Sequence, residues 1–75
     1  MVNLQLLARE IAQSGLKQGK ICEELGLSRQ GFYLKINGKR DFKINECYTL
    51  ASLLGFNETQ IRDVFFAPKV DSKVN

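Results

Sequence analysis

Seventy-five residues are enough for one domain around one core and too few for a second. A hydrophobic content of 44% with 25% charged residues excludes disorder over most of the chain. Apolar runs as short as Leu6–Ala8 and Val64–Ala67 exclude a membrane span, and the formal charge of +3 is modest overall but unevenly placed.

The first predicted helix runs from about Leu4 to Ser14. Asn3 is placed to cap it, and Leu4, Leu7, Ala8 and Ile11 recur on one face. Gly15 then offers the left-handed position that ends helices cheaply. A second helix covers about Lys17 to Leu25, with Ile21, Cys22 and Leu25 turned inward and Gly26 closing it. Only Leu27 and Ser28 follow before a third helix to Ile36, which the Ser28 hydroxyl is suited to cap. Phe32 and Ile36 share its inward side, while Arg29, Gln30, Tyr33 and Lys35 fall elsewhere on the cylinder. Asn37-Gly38 is a strong stop signal.

A basic loop, Lys39–Lys43, comes next. Between Arg29 and Lys43 stand five cations (Arg29, Lys35, Lys39, Arg40 and Lys43) against the single acid Asp41. Such a local excess can neutralise phosphates and release counterions; a solvated basic face is the plainer alternative. Asn45 is then expected to cap a fourth helix to about Leu54, in which Cys47, Leu50, Ala51 and Leu54 repeat at the spacing of a buried face. Gly55 ends it. Asn57 with Gln60 matches a capping box for a fifth helix to about Phe65, and Pro68 stops any continuation. Two adjacent aromatics, Phe65 and Phe66, cannot both point inward, so one of them is a candidate for a subunit interface. No segment has the alternation of a strand, and the fold class is all-α.

Cys22 and Cys47 fall in apolar stripes and read as reduced, buried thiols. With no histidine and two separated cysteines, the usual zinc spacings are absent, and no cofactor is expected. Nothing reads as a signal peptide, so a cytoplasmic location is expected, with no membrane partner. The chain offers no phosphate-cradling glycine loop and no nucleophile–base pair. Glu23 and Glu24, being adjacent, point in different directions on a helix. An enzyme is not expected.

The informative segment is the pair of short helices joined through Gly26-Leu27-Ser28, a turn suited to a steep crossing. Together with Gly15-Leu16-Lys17-Gln18, Lys35-Ile36-Asn37-Gly38-Lys39-Arg40 and Leu50-Ala51-Ser52-Leu53-Leu54-Gly55, it resembles the lambda-repressor/Cro-like (XRE) helix-turn-helix family. The short prophage regulators of Gram-positive bacteria look most similar. The resemblance covers about Leu4 to Ala67. It implies a compact five-helix DNA-binding domain over residues 1–67, followed by a short tail, 68–75. It also implies a sequence-specific transcription regulator, a Cro-like repressor that sets the helix at 28–36 in the major groove of double-stranded operator DNA, as a homodimer at least on DNA.

The resemblance assigns Arg29 and Gln30 to base edges, Tyr33 and Leu34 to a thymine methyl or a phosphate, and Gln18 to a phosphate beside the recognition helix. Lys39 and Arg40 would follow the backbone. Asn37 and Gly38 would shape the turn with their amides near a phosphate, and Ser28 and Lys35 complete the DNA-facing set. The chain departs from the family pattern at Gly19 and Gly31 inside helices, at Phe42 where proline is more usual, and at Cys22 where alanine is. Another function class stays open beside this one: an antirepressor or modulator that occupies a partner, such as another phage regulator, rather than DNA. An antitoxin is a third, which a neighbouring toxin gene would reveal.

Overall fold

Leu7, Ile21, Leu50 and Val64 are the largest side chains wholly withdrawn from water, and they come from four different helices. Around them pack Cys22, Phe32, Cys47, Ala51 and Phe65, with Leu4, Leu16, Leu25, Ile36, Phe42 and Leu54 half-buried at the margins. The computed structural model describes residues 2–66. The proposed tail at 68–75 lies outside them.

Five helices in chain order enclose this core: α1 (Leu4–Ser14), α2 (Gln18–Leu25), α3 (Arg29–Ile36), α4 (Ile44–Leu54) and α5 (Glu58–Phe65). The fold is all-α and compact. Helix α4 is the centre of the assembly, with α2 and α1 packed against it; α3 leans on α2, and α5 on α1. No described helix is long and apolar enough to cross a membrane.

Local chemistry sets most of the boundaries. Asn3 Oδ1 accepts from the Leu6 amide at 3.1 Å, and the Asn3 amide donates to the Val64 carbonyl at 2.6 Å, tying the start of α1 to the end of α5. Ala8 is exposed although it follows Leu4 by four residues. Leu6 takes its place against the core. The α2–α3 turn closes in Schellman fashion: Gly26 adopts φ 70°, and the Leu27 amide donates to the Cys22 carbonyl at 3.0 Å. Asn57 and Gln60 exchange reciprocal bonds of 2.8 and 2.9 Å at the start of α5, the expected capping box.

The expected cap at Asn45 is corrected. Helix α4 begins at Ile44 with Lys43 in the cap position, and Asn45 lies inside the helix. Glu46 reaches back, its Oε1 accepting from the Lys43 amide at 2.9 Å, which satisfies one of the orphan donors of the first turn without any capping side chain at Lys43. Lys17 likewise precedes α2 rather than opening it.

Candidate nucleic-acid interface

Helix α3 is eight residues long and owes its position to three anchors. Ser28 Oγ accepts from the Gly31 amide at 2.9 Å and fixes the N-terminal end. Phe32, 3% exposed, enters the core and meets Phe42 edge-on, with ring centroids 6.3 Å apart. Phe42 therefore packs against the core beneath the α3–α4 loop.

The third anchor is Lys35. Its ammonium donates to both carboxylate oxygens of Glu46, at 2.7 and 2.8 Å, and both side chains are 8% exposed. The assignment of Lys35 to the DNA-facing set is thereby corrected: a charge held in a buried, doubly bonded pair cannot also reach a phosphate. Burial alone would push the Glu46 carboxyl up. The bonds from Lys35 and from the Lys43 amide, with both lysine charges, outweigh it and hold the carboxyl below its ordinary value. Glu46 thus joins α3 to the first turn of α4.

With Phe32 and Lys35 taken inward, the opposite side of α3 is left to water. Arg29, Gln30 and Tyr33 are exposed there, Leu34 is half-buried, and Asn37 continues the same side beyond the helix end. Helical spacing brings Arg29, Tyr33 and Asn37 into one row with Gln30 beside it. Asn37 has a structural task as well: its side-chain amide donates to the Tyr33 carbonyl at 2.8 Å, capping the C-terminal end. Gly38 follows at φ 80°, a conformation that other residues adopt only under strain, and turns the chain away.

Gln18 is exposed in the first turn of α2. Gly19, next to it, makes room for Arg29: a Cβ built there would come within 3.2 Å of Arg29 Nη2, so the guanidinium lies beside α2. A Cβ at Gly31 would stand 3.2 Å from the capping hydroxyl of Ser28. Both glycines thus fall where a methyl would crowd a side chain at the start of α3, Arg29 or its cap Ser28.

Lys39, Arg40, Asp41 and Lys43 are all exposed in the loop. Among the described residues none of them forms an ion pair, and Arg29 does not either. Arg40 and Asp41 also line a groove toward α5. The basic excess noted in the sequence therefore divides in two. Lys35 belongs to the interior, and Arg29 on α3 with Lys39, Arg40 and Lys43 in the loop after it stays exposed.

The two thiols are free and buried, 4% and 6% exposed. Burial pushes the Cys47 thiol up, and the neighbouring Glu46 charge adds to this, so it is kept protonated and unreactive.

What the sequence missed is the Lys35–Glu46 pair. The available signal was positional, since Lys35 follows the inward Phe32 by three residues and Glu46 immediately precedes the inward Cys47. Among known proteins, no family model, curated sequence or solved structure matches this chain.

Proposed function

We propose that the chain is a sequence-specific DNA-binding regulator of transcription, of the helix-turn-helix kind its sequence resembles, and that the N-terminal half of α3 reads base edges in the major groove. The observation that carries this reading is the exposed row of Arg29, Gln30 and Tyr33 on a helix whose other side is fixed by Phe32 and Lys35. A reading element must present polar forks from a rigid support, because each base contact is lost if the side chain's platform moves.

Arg29 can donate two bonds to guanine O6 and N7, and Gln30 can pair with adenine N6 and N7. Tyr33, one turn on, offers a ring for a thymine methyl and a hydroxyl for a phosphate. Lys39 in the loop and Gln18 at the start of α2 are placed for phosphates, whose contacts set register and not sequence. A domain of this size makes few base contacts. Two copies in successive major grooves, about 34 Å apart on one face of the duplex, supply the affinity a single copy lacks. Bound there, they obstruct polymerase or a competing regulator.

The test is an anisotropy titration of the purified chain on a labelled duplex from its own upstream region, set against a shuffled duplex of equal length. The expected result is preference for the native sequence and affinity that falls steeply with salt. Binding to neither duplex, with affinity only for another regulator protein, would replace this reading with that of an antirepressor.

A further inference from the structure

Between the start of α1, the α3–α4 loop and the end of α5 runs a groove of about 540 Å³. Its apolar lining comes from Val2, Leu4, Phe42, Ile44, Phe65 and Phe66, and the exposed row of α3 takes no part in it. Ile44 at 59% and Phe66 at 47% are two of the four large apolar side chains left exposed among the described residues. The loop that forms one wall is basic. Arg40 and Asp41 line the groove; Lys39 stands exposed between Gly38 and Arg40, and Lys43 between Phe42 and Ile44, all four neighbours being part of the lining. Three cations thus stand against one acid along Lys39–Lys43, none of them in an ion pair among the described residues.

We propose that this groove docks an amphipathic helix of another protein, with its apolar side on Phe42, Ile44 and Phe66 and acidic residues facing Lys39, Arg40 and Lys43. The occupant has to meet two demands at once. It must cover an apolar lining contributed by three separate elements, which takes several anchors in a row. A helix supplies them at i, i+3, i+4 and i+7. It must also bring negative charge to the basic loop, because complementary charge speeds encounter and selects the partner, whereas like charges brought together are repelled.

The same charge argument sets the other occupants aside. A second copy docked here about a two-fold axis would lay the basic loop against itself, since both molecules then use one patch. The chain's own segment 67–75 follows Phe66 directly, but it carries Lys69 and Lys73 against Asp71 and would add positive charge to positive. Phosphates answer the cations and leave the apolar lining uncovered. A single-headed amphiphile such as a fatty acid covers the lining but brings one carboxylate to three cations.

The probe is a fluorescein-labelled synthetic helix of about 14 residues, with leucine at i, i+3, i+4 and i+7 and glutamate elsewhere, set against the same peptide with lysine for glutamate. Anisotropy titration of the full chain at low salt should show the glutamate peptide bound at least about tenfold more tightly, with affinity falling as salt rises. Phe66→Ala should weaken that binding several-fold, and Lys39→Glu/Arg40→Glu should reverse the preference in favour of the lysine peptide. Thermal unfolding establishes that both variants are folded, and amide shifts on binding should fall on the groove lining. Equal affinity for the two peptides, no binding up to about 1 mM, or shifts away from the groove would overturn the proposal. Three further results would give the groove to another occupant and overturn it too: decanoate binding there more tightly than the glutamate peptide, amide protection in residues 67–75 of the free chain, or self-association that Phe66→Ala abolishes. Since Lys39 is also placed for a phosphate, the glutamate peptide should displace the upstream duplex. That arm alone rests on the DNA-binding reading; a chain that binds the peptide as stated but no duplex would end that reading and uphold the docking.

Discussion

Replacing Lys35 by methionine keeps the apolar stem of the side chain and removes its ammonium. Glu46 is then left at 8% exposure with the Lys43 amide as its one remaining donor among those present. Breaking a buried pair from one side costs about 3–5 kcal/mol. The carboxyl can limit the damage by taking up a proton. From an ordinary value of 4.5, that costs about 3.4 kcal/mol at pH 7, at 1.36 kcal/mol for each unit. The expected loss at pH 7 is therefore about 3 kcal/mol, which for a domain of this size lowers the Tm by more than about 12 °C.

The pH dependence has a definite sign. Because the folded carboxyl sits below 4.5, its contribution to wild-type stability is complete well above that pH and disappears as pH falls through 4.5 and below the folded value. The orphaned carboxyl of Lys35→Met, pushed up by burial, takes up its proton at less cost as pH falls from 7, so the gap between wild type and variant should shrink over that range. It should shrink further once pH passes 4.5 and the wild-type contribution is lost. The double variant Lys35→Met/Glu46→Gln removes both charges while keeping an acceptor for the Lys43 amide, and should recover most of the loss with little dependence on pH in this range. Urea titrations followed by circular dichroism at several pH values measure all three. A single-variant loss under about 1 kcal/mol at pH 7, unchanged by pH, would refute the buried pair.

Phe65→Ala should cost about 3–5 kcal/mol because the ring is enclosed, whereas Phe66→Ala should cost under about 1 kcal/mol; chemical denaturation distinguishes them. Gly19→Ala should stabilise α2 by up to about 1 kcal/mol while displacing the Arg29 guanidinium, so thermal stability should rise as affinity for the native duplex changes. Lys39→Ala should weaken binding to all duplexes alike and reduce the salt dependence by about one counterion, read by anisotropy at several salt concentrations. Neither thiol should react with a disulfide reagent in the folded chain, and both should react in denaturant; rapid labelling of the native chain would place them nearer the surface than described.

Much of the architecture was legible because it is encoded locally. Asn3, Ser28 and the Asn57/Gln60 pair each carry a capping oxygen at the required offset, and all three start helices where their chemistry predicts. The start of α4 was not legible, because Lys43 is no capping residue and the donor it leaves is satisfied from Glu46, three residues on. Ala8 fits the apolar period of α1 yet is exposed, since periodicity marks a face but not how far the neighbouring helices extend over it. The exposed side of α3 could be drawn from spacing alone. Lys35 could not be separated from the other cations by charge, because its partner comes from the next helix and only the folded chain brings the two together.

The most direct measurement compares two discrimination ratios: affinity for the native upstream duplex over the shuffled one, for the wild type and for the Arg29→Ala/Gln30→Ala variant. Both side chains are exposed, so folding should be unaffected. Base contact from α3 predicts that the ratio falls by roughly tenfold or more while binding to the shuffled duplex persists, at about 1–3 kcal/mol of discrimination for each lost contact. An unchanged ratio in a folded variant would show that another surface selects the sequence.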